Sequence, residues 1–251
     1  MEIIMDAYTG FAQVYDLFMD NVPYEEWADY LENLLKQHHI DGGTVVDLGC
    51  GTGTLTRQMA DRGYDLIGVD NSPEMLCRAR QGETAGEDIL YLMQDMQNLE
   101  LMGEVRAVYS ACDCMNYLLD KDELLEVFRR VHIYLEKDGL FVFDMNTPYK
   151  YRELLGENTI AESREEGSFI WENYFDEAEG LNEYCLTLFV PEEKDLYRRY
   201  EEVHYQRCYE ITEIEELLKK AGWGKCQVFD AYTGQPIKED SERALFVVTK
   251  A

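Results

Sequence analysis

The chain has 251 residues, with 51 Asp and Glu against 23 Lys and Arg, which gives a formal net charge of −28 at pH 7. A hydrophobic fraction of 46% supplies enough apolar side chains for a packed core and argues against intrinsic disorder. Proteins that bind nucleic acid use Lys and Arg to neutralise phosphates. The charge therefore argues against DNA, RNA or an anionic membrane as a partner.

Targeting signals and cysteine usage indicate the cellular compartment in which the protein is expected. No apolar run approaches the ~20 residues that a bilayer-spanning helix needs, and residues 1–6 lack the basic and apolar segments of a secretory signal. We therefore expect a cytosolic, cytoplasmic protein. The seven cysteines are scattered without a C-x-x-C pair, so we expect reduced thiols and no metal site.

The first two-thirds of the chain show an alternating pattern of strands and helices. Residues 8–20 and 23–37 predict two helices that lie over the rest of the chain, and residues 44–144 then alternate short apolar runs with helical patterns. This alternation predicts a parallel sheet with helices on both faces. The predicted strands are 44–48, 65–69, 89–94, 105–110 and 140–143, and the predicted helices are 54–62, one capped by Ser72 and Pro73, and 121–135.

A change of character follows at residues 167–206, which are rich in aromatic and β-branched side chains. This composition predicts an antiparallel insertion of about three strands, with a hairpin connection that contains Gly180. A helix and two closing strands follow at 211–221, 226–231 and 244–249. We expect three parts: N-terminal helices and a ligand-binding core over 1–147, the insertion over 148–209, and the end of the core over 210–251.

A glycine-rich turn, Asp47-Leu48-Gly49-Cys50-Gly51-Thr52-Gly53, follows the first predicted strand. Glycines allow a tight turn and let a ligand approach the main chain. In a doubly wound sheet, ligands bind beyond the carboxyl end of such a strand. Thr54 stands where a dinucleotide fingerprint has its third glycine, so the turn alone leaves the ligand open.

Two further carboxylates follow the next two strands. Asp70 lies 23 residues after Asp47, where it can accept hydrogen bonds from ribose hydroxyls, and Asp95 lies 25 residues later, where it can meet an adenine amino group. The three carboxylates have no Lys or Arg beside them. The negative local field favours a cationic nucleoside over a phosphorylated one.

Residues 45–53 (VVDLGCGTG), 68–76 (GVDNSPEML) and 94–96 (QDM) resemble the motif series of the class I S-adenosylmethionine-dependent methyltransferases. The resemblance implies a doubly wound, Rossmann-like α/β sheet of seven strands whose last strand is antiparallel. It also implies that the glycine turn receives the methionine part of S-adenosyl-L-methionine, Asp70 the ribose, and Asp95 with Met96 the adenine. The expected cofactor contacts are Tyr15, Asp47, Gly49, Cys50, Gly51, Gly53, Asp70, Asn71, Met75, Asp95, Met96 and Cys112.

A narrower resemblance is to the aminosugar N,N-dimethyltransferases and the glycine N-methyltransferase type. It depends on residues 14–18 (VYDLF), 114–118 (CMNYL) and Val203-His204. In such enzymes a tyrosine at the position of Tyr15 approaches the cofactor, and an antiparallel insertion covers the substrate. The fourth strand begins with Val105-Arg106 where the family usually has Phe-Asp, which leaves the subfamily open.

Candidates for the acceptor end lie after the fourth strand and in the insertion. An amine acceptor must be unprotonated when it attacks, and Asp113 or His204 could assist as a base. Loop capping explains Asp113 and Asn116 equally well, and Asp95 could also cap a turn, although its spacing favours the adenine contact. Core packing explains Tyr15 as well as a cofactor contact does, and a histidine at the position of His204 is more often a hydrogen-bonded sheet residue than a base. The expected substrate contacts are Asn116, Tyr117, Asn173 and Tyr174.

The sequence therefore predicts a methyltransferase that acts on a small molecule, with an amine as the first choice because an acidic shell attracts cations. Two other classes remain open at this point. A nicotinamide-dependent oxidoreductase would share the glycine turn and the Asp70 contact, and a non-catalytic regulatory protein could keep the fold. The oligomeric state, monomer or homodimer, is also left open.

Overall fold

The computed structural model describes residues 15–83, 88–192 and 196–250. The first part of the helix predicted over 8–20, up to residue 14, lies outside the described residues. The described part of that helix contains a single helical turn, α1 (Tyr15–Phe18). In the described ranges no helix is long and apolar enough to cross a membrane.

The elements follow the predicted alternation. The helices are α1, α2 (Tyr24–Gln37), α3 (Thr54–Asp61), α4 (Pro73–Gln81), α5 (Lys121–Tyr134) and α6 (Ile211–Lys220). The strands are β1 (Thr44–Leu48), β2 (Asp65–Asp70), β3 (Leu90–Met93), β4 (Val105–Ser110), β5 (Leu135–Asn146), β6 (Thr159–Arg164), β7 (Gly167–Asp176), β8 (Leu181–Pro191), β9 (Tyr197–Arg207), β10 (Cys226–Asp230), β11 (Gln235–Pro236) and β12 (Arg243–Thr249).

The central sheet has the order β11-β10-β12-β5-β4-β1-β2-β3. Strands β1 to β5 are parallel, and β12 lies antiparallel between β5 and β10. The expected doubly wound sheet with an antiparallel last strand is confirmed. The two-residue strand β11, which pairs only with the end of β10, extends the expected seven strands to eight.

Each face of the sheet is covered because side chains alternate along the buried strands. On β5, Phe141 and Phe143 join the cluster beneath α5 and α6, whereas Leu140 and Val142 join the cluster beneath α2, α3 and α4. β5 is buried along most of its length and is longer than the predicted 140–143, because it begins directly where α5 ends.

Local signals fix the helix starts close to where the sequence places them. Ser72 accepts a hydrogen bond from the Met75 amide at 3.2 Å, and Pro73 occupies the first helical position of α4, as predicted. Asp120 and Glu123 form a reciprocal capping box at the start of α5. Such caps satisfy amides that have no partner within the helix.

A second, antiparallel sheet has the order β6-β7-β8-β9, with the turn between β7 and β8 passing through Gly180 at φ +67°. The sequence predicted about three strands here, and the structure contains four. The missed strand β6 (TIAESR) is a polar edge strand with four of its six residues exposed, so it carries little of the apolar alternation by which strands are recognised.

Candidate functional site

A cavity of about 970 Å³ lies beyond the carboxyl ends of β1, β2, β3 and β4. The second sheet closes it from one side, through inward-facing residues such as Trp171 and Tyr184, and α1 closes it through Tyr15 and Phe18. Thr52 in the glycine turn donates a hydrogen bond to Asp16 at 2.6 Å, which ties α1 to the core. Ligand sites of doubly wound sheets occur at this edge.

The glycine turn after β1 requires glycine for two different reasons. Gly49, Gly51 and Gly53 all have left-handed backbones, at φ +83°, +54° and +72°. A Cβ on Gly49 would lie 2.7 Å from the sulfur of Cys114, so no larger residue fits there. A Cβ on Gly51 would meet nothing within 4 Å, and Gly51 lines the cavity, so its open side is available to a ligand.

Asp47 lies buried at the end of β1 beneath this turn. Thr56 of α3 donates a hydrogen bond to its carboxylate at 2.6 Å. Burial raises the pKa of Asp47 to about 7, and the nearby charge of Asp70 acts in the same direction. The carboxyl group therefore titrates near neutral pH, and a cationic ligand group beside it would favour the ionised form.

Asp70 ends β2 and lines the same cavity. Its carboxylate oxygens accept hydrogen bonds from the amides of Gly51 and Ser72, each at 2.8 Å. Burial raises the pKa of Asp70, while these amide hydrogen bonds oppose that rise. Each carboxylate oxygen can accept more than one hydrogen bond. The pair of oxygens therefore suits a ligand with two neighbouring hydroxyl groups, such as a ribose.

The residues around the end of β3 present a mainly apolar surface to the cavity. Met75, Met96 and Gln94 line it, together with Asn71. Asp95 is not among the described lining residues, because its carboxylate accepts a hydrogen bond from the Gln97 amide at 2.8 Å and caps the 3₁₀ turn Met96–Asn98. Two thioether side chains suit a flat heteroaromatic base, and a contact from Asp95 to that base stays a prediction.

Three cysteines, Cys50, Cys112 and Cys114, lie against the cavity. Cys112 contacts the Tyr24 hydroxyl at 3.8 Å, and Cys114 donates to the Ala111 carbonyl at 3.0 Å. Burial raises the pKa of all three thiols, to about 12 for Cys112. They are therefore protonated and unsuited to act as nucleophiles at neutral pH.

A buried carboxylate organises the turn after β4. Asp144, which is 0% exposed, accepts hydrogen bonds from the amides of Cys112 and Asp113 at 3.1 and 2.6 Å, and from the Tyr232 hydroxyl at 2.6 Å. Arg243 of β12 bonds to Asp144 at 2.5 Å and to Asp113 at 2.6 Å. Cys112 and Asp113 have left-handed backbones, at φ +60° and +52°, and these contacts hold that conformation in place.

Asp113 itself lines the cavity but is a poor base. Burial acts to raise its pKa, yet the positive charges of Arg243 and Lys150 outweigh burial and hold the pKa of Asp113 below its ordinary value. Gln206 adds a hydrogen bond to the same carboxylate at 2.6 Å. Asp113 therefore stays ionised at neutral pH, where its charge can attract a cation.

Aromatic residues of the second sheet, together with Tyr117, line the same cavity as Asp113. The hydroxyls of Tyr117 and Tyr184 are hydrogen-bonded, and the Trp171 ring lies edge-on to Tyr184 with centroids 5.4 Å apart. His204 stacks on Tyr184 at 4.8 Å and pairs with the buried Glu202 at 3.2 Å. His204 is not among the described residues that line the cavity, although it was predicted as a candidate base.

Three of the predicted substrate contacts, Asn116, Asn173 and Tyr174, do not line the cavity. Asn116 is buried and bonds to the Arg207 carbonyl and the Asn146 amide at 2.8 and 3.0 Å. Asn173 accepts a hydrogen bond from Asn182 at 3.2 Å, and Tyr174, on the opposite face of β7, is 58% exposed. None of these three lines the cavity, whereas Tyr117 does.

Several cavity residues were not foreseen from the sequence. Lys150, Tyr184, Gln206 and Arg243 come from the segment Lys150–Leu155, the second sheet and β12, and the fold alone brings them together. The available signals were weak. The alternation of side chains in β7 and β8 predicts that one face of the second sheet is buried, but it does not identify the residues that this face contacts. A lone Arg at the start of a strand is usually exposed.

Comparison with known proteins gives a consistent result. The family model described as "Methyltransferase domain" matches residues 45–139. The Bacillus subtilis (strain 168) protein named "Putative methyltransferase YqeM" is 34% identical over 245 residues, which cover 97% of each chain.

Solved structures agree over the whole fold. An S-adenosylmethionine-dependent methyltransferase from Clostridium acetobutylicum ATCC 824 is 29% identical, with a TM-score of 0.86 over 97% of this chain and 99% of its own. The sugar N-methyltransferase KedS8 from Streptoalloteichus sp ATCC 53650 is 20% identical, with a TM-score of 0.81 over 100% and 96%. The second likeness shows the fold alone.

The Arg243 ion pairs predict a large effect on stability. Replacing Arg243 with Met leaves two carboxylates without their cation, and we expect a loss of about 3 kcal/mol in the free energy of unfolding, measured by urea denaturation. The control is Arg199→Met, which removes an exposed pair with Glu201 and should cost less than about 1 kcal/mol. Equal losses in the two variants would contradict a structural role for the cluster.

The raised pKa of Asp47 predicts a pH dependence of stability. The folded protein holds this proton up to about pH 7, whereas the unfolded chain releases it near the ordinary value of 3.8. The contribution of Asp47 to the free energy of unfolding therefore falls as pH rises from about 4 to 7, by at most ~1.4 kcal/mol per pH unit. Asp47→Asn should remove this slope in urea denaturation between pH 5 and 8, while Asp65→Asn, at the exposed start of β2, should keep it.

Proposed function

Because this chain belongs to the class I S-adenosylmethionine-dependent methyltransferases, we propose that it methylates the amine nitrogen of a small molecule. The observation that carries the proposal is the acceptor end of the cavity, where the ionised Asp113 lines the same space as Trp171 and Tyr184 and its charge acts on Tyr184. A carboxylate and aromatic ring faces together attract an ammonium group.

We assign to the cofactor the part of the cavity beside the carboxyl ends of β1, β2 and β3. We assign the ribose hydroxyls to Asp70, the methionine end to Asp47 and the glycine turn 49–53, and the adenine to the surface formed by Met75 and Met96. When bound, S-adenosylmethionine supplies an activated methyl group on a sulfonium whose leaving group is a neutral thioether. The residues of the chain have no leaving group to stabilise, so their work is to bind, to align and to exclude water.

The enclosed shape of the cavity supports a small molecule as the methyl acceptor. A cavity of about 970 Å³ covered by the second sheet suits small ligands together with a cofactor, whereas a polymer needs an open groove. The net charge of −28 argues against a nucleic-acid acceptor. Cytoplasmic location and the substrate-covering role of residues 148–209 remain our predictions.

Proton removal does not require a base from this chain. Asp113 has a lowered pKa, and His204 lies behind Tyr184, where it pairs with Glu202. We propose that the amine loses its proton before attack, and that Asp113 attracts and orients it. The enzyme then depends on the fraction of acceptor that is unprotonated, which rises with pH.

Cofactor binding is tested first. Removing two ribose hydrogen bonds in Asp70→Ala should weaken S-adenosylhomocysteine at least tenfold in calorimetry, at roughly 1 kcal/mol for each hydrogen bond. The control, Asp65→Ala, changes an exposed carboxylate at the other end of β2 and should leave affinity unchanged. Unchanged affinity in Asp70→Ala would refute the ribose assignment. Binding of NAD without binding of the sulfonium cofactor would refute the whole function.

The role of Asp113 is tested by its pH profile. With an amine found by screening for S-adenosylhomocysteine release, Asp113→Asn should raise the KM for the amine at least fivefold. The rise of kcat with pH should persist, with its midpoint at lower pH, since the titrating group belongs to the bound amine and loses the negative charge that favours its protonated form. A profile that loses this pH dependence in Asp113→Asn would show that Asp113 is the base, contrary to the proposal.

A further inference from the structure

A lysine stands at the acceptor end of the cavity. Lys150 opens the π-helical segment Lys150–Leu155, four residues after the last residue of β5, and it lines the cavity together with Asp113 and Asn146. Its ammonium nitrogen donates a hydrogen bond to the Asn146 side-chain oxygen at 3.0 Å. An ammonium group has three N–H donors, so donors remain for a ligand.

No carboxylate of the described residues lies within ion-pair distance of Lys150, although Asp113 is nearby. The carboxylate of Asp113 is already bonded to Arg243 and to Gln206, each at 2.6 Å. Burial lowers the pKa of Lys150 and the positive charge of Arg243 lowers it further, while the negative charges of Asp113, Glu242 and Asp144 act in the opposite direction. Burying a cation without a bonded carboxylate is costly, and an anionic ligand group bonded to Lys150 would reduce that cost.

The sheet order separates Lys150 from the cofactor half. The strands run β5-β4-β1-β2-β3, and the proposed cofactor contacts follow β1, β2 and β3. Neighbouring strands are about 4.8 Å apart, so the end of β5 lies ~10 Å from the end of β1. Lys150 is therefore on the side where the acceptor approaches, and not beside the turn assigned to the methionine end.

Resting on the proposed function, we infer that the methyl acceptor carries an anionic group, a carboxylate or a phosphate, which binds Lys150 beside its amine. The charges of the surroundings support this pairing. Among the buried groups, Asp113 and Asp144 balance Arg243 and Lys150, and the further negative charge of Glu242 is exposed to solvent, so the buried part of the cluster is neutral before a ligand enters. An acceptor with one cationic and one anionic group keeps it neutral, whereas a simple amine adds an uncompensated charge to a low-dielectric region.

The direct test is anion binding to the protein saturated with S-adenosylhomocysteine. Phosphate and acetate are titrated at constant ionic strength, with chloride as the replaced ion, and the rise in melting temperature gives an apparent Kd. The wild-type protein should bind at least one of these two anions, and Lys150→Gln should raise the apparent Kd for that anion at least tenfold. Lys150→Arg keeps the charge and should keep the binding. Lys220→Gln, an exposed lysine at the end of α6, is the matched control and should resemble wild type.

The outcomes separate this inference from the proposed function. A protein that does not bind S-adenosylhomocysteine contradicts the function itself. Binding of S-adenosylhomocysteine with no anion response in wild type, or with equal responses in wild type and Lys150→Gln, overturns the anionic acceptor alone. A tenfold loss of S-adenosylhomocysteine affinity in Lys150→Gln also overturns it, since Lys150 would then serve the cofactor carboxylate. A response to acetate favours a carboxylate, and a response to phosphate favours a phosphate.

Turnover provides a second measurement, with paired acceptors that differ in their anionic group. We expect kcat/KM to be higher for phenylalanine than for its amide, or for phosphoethanolamine than for ethanolamine, and this preference should disappear in Lys150→Gln. A preference in both pairs for the member that lacks the anionic group would overturn the inference.

Discussion

The acceptor end of the cavity depends on the buried carboxylate of Asp144. It receives two backbone amides from the turn after β4, a tyrosine hydroxyl, and the guanidinium of Arg243. A carboxylate with 0% exposure is stable only when its oxygens are fully hydrogen-bonded or paired. The turn that presents Asp113 is therefore fixed by groups from β5 and β12. This gives the antiparallel last strand a functional consequence, because β12 delivers the cation that holds the turn.

The sequence predicts the central sheet well, and it places the proposed cofactor residues at the expected edge of that sheet, because both predictions depend on local sequence. The turn 49–53, Asp70 and Met96 each follow their own strand directly, and parallel strands bring their carboxyl ends to one edge. Asp95 illustrates the limit of this reasoning. Its place after β3 is as expected, but its carboxylate caps the following turn, which spacing alone cannot distinguish from a ligand contact.

The acceptor half could not be predicted in this way, because its residues are distant in sequence and meet only through the packing of the second sheet on the first. Trp171, Lys150 and Arg243 each have an ordinary structural explanation when taken alone. Strand periodicity assigns residues to a face of a sheet, but the neighbour of that face is a tertiary property. The polar strand β6 was missed for a related reason, since an edge strand gains little from apolar side chains.

The charge of −28 is a poor guide to the charge of the cavity. Net charge acts over long distances through water, where it influences encounter and is screened within about 8 Å at physiological salt. Inside the cavity the dielectric is lower, and the few groups present decide which ligand is favoured. At the proposed acceptor end, Arg243 pairs with two carboxylates, while Lys150 donates to the neutral Asn146 amide and has no carboxylate of the described residues within ion-pair distance. A strongly acidic protein therefore presents a cation at this end of the cavity, and for that reason we infer an acceptor amine with its own anionic group.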